Sequence, residues 1–372
     1  MQQAARLPRR RDHCGHRRAP HGQATPDRSR RRNGMSRPNV PTTTRPARSA
    51  GKPVLAPGRL EVKEIVRLLM PLIVLVVAVA SVTVAHPAFL GVNSLTTVLN
   101  VAAPIIILAV GQTFPILTGG IDLSQAAVTS LGTVIIALTL PSLGGLGIVF
   151  VLLCTTLIGV LNGVIAVWAQ IPTFIVTLGG LTVWGAVAMV ISGATTLPLG
   201  DSHGAIAWIT ARITSGLTVA PLLAITLTVL VALVIQYGRG GRAIHYVGLG
   251  EAAAQLAGVA TRRARILAFG AAGLSAGIAA LVISSTQYSG APTLADSLLL
   301  PVIAAVVLGG TALTGGIGGP LRSLVGALTI AVLRVGLGIA GVDPAIEQII
   351  YGCAIIIAVA ITIDKKKWGV VK

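Results

Sequence analysis

The chain has 372 residues, of which 53% are hydrophobic and only 11% charged, with a mean hydropathy of +0.85. That composition excludes a soluble globular domain and implies several membrane spans. The net charge of +18 does not point to a nucleic-acid-binding body, because residues 1–60 hold fifteen of the 29 Lys and Arg against two acids.

Residues 1–58 are rich in Arg, Pro, Ser and Thr with almost no apolar clusters, and are expected to be a disordered basic tail. Arg9-Arg10-Arg11 and Arg30-Arg31-Arg32 would suit RNA or anionic lipid. The plainer expectation is that translation starts at Met35 and residues 1–34 lie upstream of it. The first apolar run begins near residue 65 and is long enough to span, so no cleavable leader is expected. Residues 59–372 then form one transmembrane domain.

A span needs about 20 apolar residues. By that rule about ten spans are predicted, near 65–85, 98–117, 123–140, 146–168, 173–193, 219–237, 265–285, 298–313, 321–341 and 346–363, the eighth short enough to be a half-helix. The basic tail, the cluster from Arg239 to Arg265 and Lys365-Lys366-Lys367 fall on one side, which assigns both termini to the cytoplasm and the loop 194–218 to the outside. The fold class is therefore all-α and polytopic, in a plasma membrane.

Thr118-Gly119-Gly120 interrupts this apolar sequence, and Asp122 follows with Gln125 three residues on, a capping-box spacing for a new helix start. Pro115 is expected to kink the helix before the break. Leu117-Thr-Gly-Gly-Ile121 returns letter for letter as Leu313-Thr-Gly-Gly-Ile317, with Ala109/Ala305, Val110/Val306 and Thr133/Thr329 also matching. An apolar run, a break and a second run occur twice, which predicts an internal repeat with re-entrant or broken helices; the span count puts both copies in the same direction provided the eighth segment spans. Asp122 is matched by Gly318, so any role of the carboxylate belongs to one half. An acid inside apolar sequence reads as a helix cap or as a gate on a pathway.

Gly159-x-x-x-Gly163 and Gly273-x-x-x-Gly277 have the spacing that lets helix backbones approach closely in lipid. Cys14, Cys154 and Cys353 are too scattered for a disulfide framework, and neither a metal site nor a resident cofactor is expected. No phosphate-binding Gly-x-x-x-x-Gly-Lys-[Ser/Thr] occurs, so any ATP driving this protein is hydrolysed by another chain. Within the basic segment 238–265, Glu251 to Leu256 reads as a short helix between Gly250 and Gly258, with an Ala-rich, shallow face.

Three stretches resemble the permease subunit of ribose-type ABC sugar importers: Ile-Leu-Thr-Gly-Gly-Ile-Asp-Leu-Ser at 116–124, Gly-Leu-Gly-Glu-Ala-Ala-Ala-Gln-Leu-Ala-Gly-Val at 248–259, and Ala-Ala-Val-Val-Leu-Gly-Gly-Thr-Ala-Leu-Thr-Gly-Gly at 304–316. Ile171-Pro-Thr-Phe-Ile-Val-Thr-Leu178 is similar to a fourth family turn, and the resemblance covers roughly residues 60–365. Where the family sequence reads Val-Gly after Asp-Leu-Ser, this chain has Gln125-Ala126. The resemblance implies a homodimer of permeases in the bilayer, a pair of ATP-binding subunits on the cytoplasmic side and an external sugar-binding protein. It also implies that Glu251, Ala252, Ala253 and Gly258 lie in the loop that docks into the ATPase. A neutral, polar sugar needs hydrogen-bonding groups along its path, and the candidates are Asn100, Gln112, Thr118, Gly119, Gly120, Asp122, Ser124, Asn162, Thr314, Gly315 and Gly316. Two alternatives stay open: an ABC permease for another small solute, and a secondary transporter in which Asp122 carries a proton.

Overall fold

The computed structural model describes residues 62–362 except Ser215, without the side chains of residues 62–68, Pro344 and 358–362. The expectations for the tail 1–58, the start at Met35 and the cluster Lys365-Lys366-Lys367 lie outside these residues.

The described residues form twelve α-helices: α1 (Val62–Ala85), α2 (Val92–Leu117), α3 (Gln125–Leu143), α4 (Gly145–Trp168), α5 (Thr173–Ser192), α6 (Val219–Tyr237), α7 (Arg239–Leu249), α8 (Glu251–Leu256), α9 (Thr261–Gln287), α10 (Leu299–Leu308), α11 (Pro320–Ile339) and α12 (Pro344–Thr362). Among the described residues, seven helices are long and apolar enough to cross a membrane, and three shorter apolar helices lie at Leu69–Ala85, Asp296–Leu308 and Ala345–Ile357. Together they reproduce the predicted spans, including the short eighth. The architecture is all-α and polytopic, as an apolar solvent demands, since helices satisfy their own backbone hydrogen bonds. α2 continues through Pro104 and Pro115 to Leu117, so neither proline ends it.

α9 is the spine. It packs against α2, α3 and α4, and most of its residues are buried. The contact with α4 is made at backbone level. A Cβ on Gly159 would run into the carbonyl of Phe269, and one on Gly273 into that of Thr155. The two glycine-spaced motifs therefore face each other, and they do the packing their spacing predicted. Apolar side chains turned away from the spine, such as Leu157 and Leu161 on α4 and Val183 and Val190 on α5, stay exposed, as a hydrocarbon surrounding allows.

α10 is short because only a 3-10 turn, Asp296–Leu298, and a non-helical stretch before that precede it. After α9, the strand pair β1 (Leu197–Pro198) and β2 (Ser289–Gly290) closes one end of the bundle, where His203 stacks on Tyr288 at 4.2 Å. The chain then descends along α3: the Ala291 amide and the Thr133 hydroxyl bond each other's segments, and Ser130 accepts from the Ala295 amide at 2.9 Å while donating to Asp296 at 3.0 Å. Two hydroxyls on one face of α3 thus supply the bonds that an unwound segment would lack in lipid.

Candidate functional site

The two Leu-Thr-Gly-Gly-Ile breaks meet. The Gly316 amide donates to the carbonyl of Leu117, the last residue of α2, at 2.9 Å. Gly119 (φ +79°), Gly315 (φ +89°) and Gly316 (φ +74°) adopt the left-handed turn that only glycine takes without strain. A Cβ on Gly315 would stand 2.9 Å from the Gly119 amide nitrogen, so the second glycine is also required by the close approach. α2 and α10 both end at this joint, so the two repeated breaks are brought into direct contact. The mismatch between Asp122 and Gly318 has a local cause. Gly318 has φ +131°, and a side chain there would strike Thr311. An aspartate cannot stand where the second copy would need it.

Asp122 does not form the predicted capping box. α3 starts at Gln125 with Ser124 as its flanking residue, and no side chain caps it. Gln125 instead points sideways, donating to the Leu108 carbonyl at 3.1 Å and to the Ser275 hydroxyl at 3.0 Å. This residue, which departs from the family sequence, ties α3 to α2 and α9. Asp122 turns the chain two residues earlier: its Oδ1 accepts from the Ser124 amide at 2.9 Å and the Ser124 hydroxyl at 2.6 Å. Asn162 on α4 donates to the same hydroxyl at 2.8 Å. Three of the predicted polar residues thus form a single buried chain, Asn162–Ser124–Asp122, that pins the first break to α4.

Other candidates are placed apart. Asn100 is occupied at the opposite end of α2, donating to the Gly216 carbonyl and accepting from the Thr218 amide and hydroxyl. Gln112 is fully buried beside Asp122 and Gln125, and its amide atoms have no hydrogen-bond partner among the described residues. Thr118 folds back onto the Pro115 carbonyl at 2.8 Å, whereas Thr314 is exposed.

Thr118, Gly119 and Gly120 line a vestibule of about 550 Å³ together with Gln170, Thr173, Gln255, Glu251, Arg262 and Arg265. Its walls combine hydroxyls, amides, main chain and the Glu251–Arg265 ion pair with Arg262 and apolar side chains such as Ile171, Phe174 and Phe269. One wall is α8. Glu251 pairs with Arg265 at 2.7 Å and Gln255 donates to Thr261 at 3.2 Å, so the helix is held to the start of α9. α8 spans the residues expected from the sequence and ends at Gly258, with φ +78°. Ala252 and Ala253 are exposed, and Leu256 is 92% exposed. Sequence reasoning missed Arg265, Gln255 and Thr173 as lining residues, the last of which accepts from the Ile121 amide at 3.3 Å. The basic cluster hinted at the first; nothing local marks the other two. No group of His, Cys, Asp and Glu suited to a metal occurs among the described residues.

A bundle of apolar helices with two broken hairpins joined over a polar vestibule defines a multi-pass membrane permease. The family model described as the branched-chain amino acid transport system / permease component matches residues 94–359, and the chain belongs to that family. It is 33% identical over 294 residues to the ribose import permease protein of Haemophilus influenzae, covering 77% of this chain and 90% of that one. Identity to the ribose import permease protein of Bacillus subtilis is 30%, covering 83% of this chain and 96% of the relative. The fructose import permease protein of Rhizobium meliloti is 32% identical, over 78% of this chain and 84% of its own length. No solved structure gave a significant match.

Proposed function

We propose that this permease forms the translocation pathway for a monosaccharide, ribose or a close analogue, in an ATP-driven importer. It works as a pair of identical copies, with ATP-binding subunits on the α7–α8 side and a sugar-binding protein on the other. The observation that carries the reading is α8. Its outer face offers Ala252, Ala253 and the 92% exposed Leu256, while Glu251 is paired inward with Arg265. A small-residue face with one projecting leucine, fixed to the next span, suits insertion into a protein groove. The vestibule behind it, about 550 Å³, is of ordinary ligand-pocket size and would receive the solute at the inner end of the path. The sugar is read from the ribose and fructose names of the relatives together with the hydroxyl, amide and charged hydrogen-bonding groups of this lining. The nucleotide is held by the partner subunit.

Ala253→Trp tests the reading. The permease should reach the membrane at normal level, yet lose the ATPase subunit on purification and lose ATP-dependent sugar uptake into vesicles. Retained association with normal uptake overturns the assignment.

A further inference from the structure

The helix break of each repeat touches α7 as well as its twin. α7 is amphipathic, burying Gly241, Ile244 and Val247, and its last turn enters the joint. Gly248 is wedged against both breaks at once: a Cβ there would collide with the Leu117 carbonyl and the Gly316 amide, and stand 2.9 Å from the Gly315 carbonyl carbon. One turn earlier, His245 Nδ1 donates to the Gly316 carbonyl at 3.1 Å. Leu249 crowds Gly316 from the same turn. Only Gly250 then separates α7 from α8. We propose that Gly248, seated between the two breaks, is the point through which displacement of α7–α8 is delivered to both repeats together, with His245 as the latch that holds it there.

The physical case rests on stiffness. Close main-chain packing transmits small shifts because it has no slack to absorb them. A helix whose end touches both breaks moves them as a unit. Gly248 has ordinary helical backbone, so its lack of a side chain answers to space alone. Alanine is the better helix former, which separates the crowding effect from any weakening of α7.

The inference rests on the importer reading, so the test uses the complete complex: permease, ATPase subunit and sugar-loaded binding protein. Gly248→Ala is compared with Gly240→Ala, a second α7 glycine whose added Cβ would meet nothing. Gly248→Ala should retain the ATPase subunit but lose about tenfold or more in uptake, with hydrolysis no longer stimulated by the loaded binding protein. Gly240→Ala should match the parent in all three readouts. Should Gly248→Ala fail to accumulate, His245→Ala decides instead: uptake should fall with the ATPase subunit still bound, and His245→Asn, whose amide restores a donor at the Nδ1 position, should recover it. Parental uptake in an assembled Gly248→Ala complex, or in His245→Ala, overturns the proposal alone. A parent protein that never associates with an ATPase subunit overturns the importer reading and this inference with it.

Discussion

Asp122 shows how an expensive residue is accommodated. Its Oδ1 accepts two bonds from Ser124, and Asn162 completes the chain from α4. What the turn needs is an acceptor at that position, and Asn supplies one. Asp122→Asn should therefore retain folded yield and uptake, while Asp122→Ala strands the Ser124 groups and should cost about 1–3 kcal/mol. Thermal midpoints in detergent and vesicle uptake check both. Full yield of Asp122→Asn with abolished transport would favour a proton-carrying role instead. The carboxylate, Ser124 and Asn162 were each conspicuous in the sequence, but their linkage was not: Asn162 lies 38 residues from Ser124, and only the fold brings the two together.

At the scale of elements, the α4–α9 contact has no tolerance for bulk. Gly159 and Gly273 meet main chain, so Gly159→Leu or Gly273→Val should abolish the monodisperse peak in detergent chromatography. Gly185→Ala, where an added Cβ meets nothing, should leave the profile unchanged. Most elements were legible because apolar runs of membrane length have few alternative readings; α6 falls at residues 219–237, where the hydropathy placed it. The helix starts were less legible. The spacing of Asp122 and Gln125 mimics a capping box, but Gln125 finds better partners in Leu108 and Ser275 across the bundle. The unwound stretch before α10 was readable only as shortness, since the bonds that permit it come from Ser130 and Thr133, over 150 residues away in sequence. Of the site, the breaks and α8 could be read locally, whereas their meeting at Gly248 depends on three distant segments.

For the molecule as a whole, the arrangement predicts which segments meet water on each side. In a background lacking the native cysteines, Asp201→Cys in the loop 194–218 should react with an impermeant thiol reagent applied to intact cells. Gly240→Cys on α7 should react only after the membrane is opened. Labelling of Gly240→Cys from outside would reverse the orientation. The joint of the two breaks has a consequence that reaches past any one solute. It is made of main-chain atoms and glycines, so it is indifferent to how the walls around it are spelled. Under the importer reading proposed above, those walls can change side chain by side chain while the joint keeps its main-chain geometry.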